Sequence, residues 1–230
     1  MQVVGYSDKL SVRPGETIRF MVSCLNDSYR ADIVRLIHGD INPDGPGYKE
    51  ALLKTGISRS YPGRLQRIRL GSHVTVPDTL LLCCPNGFTV AAWIFPTTPG
   101  AGTQGVLTKW SRDNGGYGLF IEDGMLSLWV SGAKGAVKKL ASGKKLRANQ
   151  WYFAAASYDA ATGRASIHQL PLSTYPLEDT RAVSEATLAG SPAHGGTPFV
   201  MAGHWGRDDD GTEVVLGHYN GKMDSPRLFN

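Results

Sequence analysis

The feature that most constrains this chain is its punctuation. Glycine (28 residues) and proline (13) break it into short segments. Several of those segments alternate apolar and polar residues with a period of two. No segment carries a convincing 3.6-residue apolar stripe. Short alternating runs between turn formers read as β-strands, and evenly spaced strands without helices read as a sandwich or jelly roll. The expected fold class is therefore all-β. With 41% hydrophobic and 19% charged residues over 230 positions, a packed core is expected and disorder is not.

Two regions differ in texture. In residues 1–38, Pro14-Gly15 marks a turn, after which Ile18, Phe20, Val22 and Cys24 alternate with polar or intermediate neighbours. Residues 31–38 read as a second strand, apolar on nearly both faces. Two strands alone are marginal in water, so this region must pack on something else. Residues 39–65 are dense in turn formers and read as a linker, with one helical turn expected at Lys49-Glu50-Ala51-Leu52-Leu53-Lys54.

From residue 66 the strands become regular. Residues 88–95 are apolar on both faces, which predicts a central strand covered on both sides. Asp123-Gly124 lies between two apolar runs and predicts a tight hairpin, because both turn residues tolerate positive φ. A second hairpin is expected around Asp159-Ala160-Ala161-Thr162-Gly163. The chain thus divides into 1–65, N-terminal strands and linker, and 66–230, the sandwich.

Bulk properties exclude several function classes. A net charge of +4 without a recognisable module does not suit nucleic acid. No stretch approaches the roughly 20 apolar residues of a membrane span. The start lacks the basic and apolar regions of a secretory signal. Three cysteines, two of them adjacent (Cys83 and Cys84), make no disulfide framework. A reducing, cytoplasmic setting is the expectation.

Several pieces, in order, carry a resemblance. Residues 88–94, Gly105-Val106-Leu107-Thr108-Lys109-Trp110, Gly116-Tyr117-Gly118-Leu119, Asn149-Gln150-Trp151-Tyr152-Phe153 and Asn220-Gly221-Lys222-Met223-Asp224 resemble the laminin-G-like, concanavalin-type jelly roll. Residues 5–16 and 29–40, with Asn42-Pro43 and Gly45-Pro46-Gly47, resemble the start of the large subunit of N,N-dimethylformamidases. That resemblance implies an immunoglobulin-like N-terminal segment, then the jelly roll, then a larger catalytic part. It implies hydrolysis of small formamides by a mononuclear iron held by tyrosine and glutamate, and pairing with a small subunit. It places the iron downstream, so no cofactor is expected within this chain and no iron ligand is transferred to it. The expected partners are the downstream catalytic domain and the small subunit, with a homo-oligomer of such heterodimers as a further arrangement.

The paired acids of a jelly-roll glycanase, Glu-x-Asp-x-x-Glu on one strand in that fold, are absent, and Glu122-Asp123 and Glu178-Asp179 read as loop acids. Asp208, Asp209, Asp210 and Glu213 offer hard oxygens for calcium, or form a plain acidic loop. The six histidines show no metal-site spacing, and no nucleophile motif is present. Lys134, Lys138, Lys139, Lys144, Lys145 and Arg147 form a basic run, either a solvated hairpin or a docking surface for an acidic partner. The expectation is a non-catalytic structural and assembly domain of an iron-dependent formamide amidohydrolase. The alternative is a carbohydrate-binding, lectin-like module using Trp110, Trp129 and Trp205 as a platform, although such tryptophans are more often core.

Overall fold

The computed structural model describes residues 2–66, 71–133, 135–173, 178–193 and 195–230. The chain forms two compact units, Met1–Leu70 and Gly71–Asn230.

The first unit holds β1 (Val3–Ser7), β2 (Phe20–Cys24), β3 (Ser28–Ala31), β4 (Ile33–His38), β5 (Lys49–Leu53) and β6 (Arg59–Pro62). They pair antiparallel as β1–β2, β3–β6 and β4–β5. The helical turn expected at 49–54 is instead strand β5. An isolated turn of helix is unstable, whereas the edge of β4 supplies a ready ladder, with Ile33 opposite Leu53 and Leu36 opposite Glu50. Residues 59–62, read as linker, are likewise strand β6. Among the unit's described residues only Cys24 is buried. Ile33, Val34, Leu36 and Ile37 of β4, and Leu52 and Leu53 of β5, are all exposed.

The second unit is a two-sheet sandwich. Its strands are β7 (Val74–Val76), β8 (Gly87–Pro96), β9 (Gln104–Ser111), β10 (Gly115–Glu122), β11 (Met125–Ser131), β12 (Lys138–Lys145) and β13 (Tyr152–Asp159). β14 (Arg164–Pro171), β15 (Ala182–Thr187), β16 (Phe199–Met201), β17 (His204–Arg207), β18 (Glu213–Leu216) and β19 (Gly221–Phe229) follow. One sheet has the order β12-β11-β10-β9-β16-β7 and the other β15-β14-β13-β8-β19. The pair β17–β18 forms a separate hairpin. This is a jelly-roll sandwich.

The period of two decides what fills it. Phe88, Val90, Ala92 and Ile94 of β8 and Ala154, Ala156 and Tyr158 of β13 face Tyr117, Leu119 and Ile121 of β10 and Leu126, Leu128 and Val130 of β11 across one continuous core. Asp123 and Gly124 both take positive φ (52° and 81°), as the expected β10–β11 hairpin requires. Strand β8 is central, between β13 and β19, but only its inner face is covered, since Trp93 and Phe95 on the other face are half-buried. The edge strand β19 is interrupted by a register shift between Asp224 and Arg227, where Ser225 has φ 48° and Pro226 lacks an N–H. Such a break blunts an edge against further pairing.

Candidate functional site

The acids come first, because a hydrolase of this fold would need them. Glu122 Oε1 accepts from Lys139 Nζ at 2.6 Å. Asp179 Oδ2 accepts from Lys144 Nζ at 3.1 Å, and Glu178 Oε2 from Arg147 Nη1 at 3.1 Å. Three of the four loop acids, Glu122, Glu178 and Asp179, are thus counter-ions of the basic run. The backbone N–H of Arg181, with Lys144, holds the Asp179 carboxyl below the usual carboxylate range. Each exposed pair contributes only about 0–1 kcal/mol, but together they pair three of the run's five described cations. Lys138 and Lys145 are exposed and make no ion pair among the described residues; Lys134 lies outside the described residues. Lys139 also stands over the Trp129 ring at 3.9 Å, a cation–π contact.

The acidic loop is arranged around a resident cation. Arg207 Nη2 donates to Glu213 Oε1 (2.7 Å), Nε to Asp113 Oδ2 (3.3 Å) and Nη1 to the Gly211 carbonyl (3.0 Å). Asp208 Oδ1 accepts from the N–H groups of Asp210 (3.1 Å) and Thr212 (2.9 Å), which closes the turn locally. Among the described residues no three His, Cys, Asp or Glu side chains gather to hold a metal.

The aromatic residues divide between the two outer faces of the sandwich. On the six-stranded sheet Phe120 stacks on Trp129 (4.1 Å between ring centroids), and Trp110 meets both rings edge-on. His204, at the start of the β17–β18 hairpin, lies 5.6 Å from Trp110 and closes the cluster. Trp110 and Trp129 are each only 8% exposed, so they cannot serve as a sugar platform. Burial holds the His204 imidazole below its usual pKa.

On the five-stranded sheet the outer aromatics stay open. Trp93 packs on Phe153 (5.4 Å) and Phe95 on Trp151 (5.5 Å), all four half-buried. Ala91 and Ala155 form a low step beside them, and Thr89, Ser157 and Ser166 make the next row. A shallow cavity of 220 Å³ lies against Trp93, Trp151, Leu172 and Asp224. A second, of 440 Å³, lies at the polar end against Thr89, Ser157, Ser166, Arg164, Glu185 and Phe229.

The interior holds two polar groups that the sequence reading missed. Lys109 is 2% exposed, and its ammonium donates to Asp78 Oδ1 (2.6 Å) and the Thr197 carbonyl (2.8 Å). That bond, aided by the Gly196 N–H, holds the Asp78 carboxyl below the usual range. The only hint in the sequence was a lysine inside the otherwise buried run Gly105-Val106-Leu107-Thr108-Lys109-Trp110. Tyr117 Oη donates to the Leu82 carbonyl at 2.8 Å, which leaves the Cys84 thiol, 3.4 Å away, to donate to that oxygen. Burial pushes both the thiol and the phenol up. Cys84 is therefore a protonated packing group and no thiolate nucleophile.

These geometries define a jelly-roll module. Residues 69–230 match the family model of the laminin G type, described as the concanavalin A-like lectin/glucanases superfamily, and the chain belongs to that family. Over 243 residues it is 37% identical to the N,N-dimethylformamidase beta subunit of Paracoccus aminophilus, covering 100% of this chain and 32% of that protein. It is 35% identical over 240 residues to the N,N-dimethylformamidase beta subunit of Alcaligenes sp, covering 98% and 31%. The chain spans about a third of the length of the curated relatives it matches. Among solved structures it is similar to a heptameric SAP-like pentraxin from Limulus polyphemus (TM-score 0.46, 16% identity, 71% of each chain). The expectation of a large subunit is corrected here, because the relatives matched over the whole chain are named beta subunits.

The donor set for the implied iron does not form among the described residues. Tyr48, just before β5, donates from Oη to Glu50 Oε2 at 2.6 Å, and no second tyrosine among the described residues bonds that carboxylate. Tyr117, Tyr152 and Tyr158 are buried in the core, and Tyr29 and Tyr61 stack on one another. Tyr29, Tyr61, Tyr117, Tyr152 and Tyr158 serve packing.

Proposed function

We propose that this chain is a non-catalytic assembly region of a dimethylformamidase-type amidohydrolase, in the position of that enzyme's beta subunit. The observation that carries the reading is the N-terminal unit, whose strand pairs expose Ile33, Val34, Leu36, Ile37, Leu52 and Leu53 and bury only Cys24 among its described residues. A unit of this size without a core does not stand alone, and exposed apolar surface on this scale marks an interaction site. Its covering surface would come from further amidohydrolase polypeptide or from another subunit. The iron and the formamide chemistry would reside in that polypeptide. The lectin-like alternative is weaker, since two of its three platform tryptophans, Trp110 and Trp129, are buried and Trp205 is half-buried.

The test is to purify residues 1–230 and assay amine release from dimethylformamide, alone and joined to the remainder of a dimethylformamidase beta subunit with its partner subunit. The reading expects no turnover from the chain alone and activity in the joined form. Turnover by the chain alone, lost on substitution of one of its own residues, would overturn it.

A further inference from the structure

We propose that His73 Nδ1 and His218 Nε2 form a two-histidine site for a divalent cation of the zinc class, at the end of the sandwich where the second unit begins. The two nitrogens are 3.3 Å apart. Nitrogens bound about 2.0–2.1 Å from a tetrahedral zinc ion lie about 3.3–3.4 Å from each other, so the spacing already equals one edge of that tetrahedron.

Both histidines sit on fixed backbone. His73 directly precedes β7, which is laddered to β16 from Val74 opposite Met201. His218 bridges to Gly105, and Gly105 N–H donates to the Gly217 carbonyl at 2.8 Å. The space for the pair depends on a glycine. A Cβ on Gly71 would lie 2.3 Å from Cγ and Cδ2 of the His218 ring, and Gly71 has φ +99°.

Without a cation the two rings share an N–H···N hydrogen bond. To bind one, His73 must carry its proton on Nε2 and His218 on Nδ1, so that both facing nitrogens present lone pairs. From two neutral rings this is a tautomer shift with no net loss of protons. Water completes the coordination, since no third ligating side chain joins the pair among the described residues. Imidazole donors select zinc, nickel or copper over calcium and magnesium. The bound ion would tie the chain just after the boundary at Leu70 and Gly71 to the turn that precedes β19.

Isothermal titration of the untagged 230-residue chain with Zn²⁺ near neutral pH, with Ca²⁺ as control, tests the site. The expected result is one saturable zinc site per chain and no calcium response. Removing one ligand of the pair, by His73→Ala or His218→Ala, should weaken binding about tenfold or more, while His168→Ala leaves it unchanged. Co²⁺ should give the visible bands of a tetrahedral centre in the wild type and lose them in His73→Ala. If His218→Ala unfolds, the exposed His73→Ala decides. Equal zinc binding by His73→Ala and wild type would mean an adventitious ion only and would overturn the proposal, as would the absence of saturable binding.

Discussion

The two outer faces of the sandwich are built from similar residues and finished differently. On the six-stranded sheet Trp110, Phe120 and Trp129 are buried beside His204 of the chain's own β17–β18 hairpin. On the five-stranded sheet Trp93, Phe95, Trp151 and Phe153 form a row that stays half-open. Aromatic rings on a sheet face are stabilising when covered and are a liability when wet. The difference separates residues that hold this fold together from residues available to a partner. The N-terminal unit falls on the available side more strongly still.

The largest effect that could break this contrast is truncation within the covered cluster. Phe120→Ala is expected to destabilise by about 3–5 kcal/mol, the range for a fully buried phenylalanine. Trp93→Ala on the open face should cost about 1–2 kcal/mol, because much of that ring already faces water. Urea denaturation of both variants measures the difference. Equal losses would mean that the two faces are equally covered.

Acid should separate the faces next. His204 has a folded-state pKa below its unfolded value of about 6.5. The stability it contributes is therefore fully present above that value and is lost as pH falls through the folded pKa, because the unfolded chain binds the proton more readily. His218 acts in the same direction. Denaturation midpoints should begin to fall below about pH 6.5, before the carboxylates titrate. His204→Gln should flatten that part of the profile. An unaltered profile in His204→Gln would remove the histidine from the covered cluster's energetics.

The smallest effect is expected at the basic strand. Lys138→Glu with Lys145→Glu should change stability by less than about 0.5 kcal/mol, as exposed residues without recorded ion pairs do. A larger loss would show that β12 depends on these two cations. Weakened binding of a partner subunit at unchanged stability would assign them to docking.

How much of this was legible in the sequence follows from the range of each signal. Asp123-Gly124 named its hairpin because turn chemistry is local. The inward rows of β8, β10 and β11 were legible because a strand's period shows which residues share a face. Coverage of the outward row was not. The text of residues 88–95 reads the same whether Trp93 and Phe95 are covered or open, and that of residues 31–38 the same whether β4 is buried or bare. Strand β5 was misread as a helical turn because its partner β4 lies a dozen residues earlier, across a turn-rich segment. The counter-ions of Lys139, Lys144 and Arg147 come from other hairpins and loops, so pairing could not be read from the run itself. Lys109 was passed over because nothing adjacent in sequence announces Asp78, 31 residues away.

Amide hydrogen exchange tests the central claim most directly. Residues 1–230 would be measured alone and again within an assembled dimethylformamidase-type enzyme. The account predicts rapid exchange throughout β1–β6 in the chain alone and strong protection there after assembly, with β9–β11 equally protected in both. Protection of β1–β6 already complete in the isolated chain, or unchanged rapid exchange there in the assembly, would contradict the account.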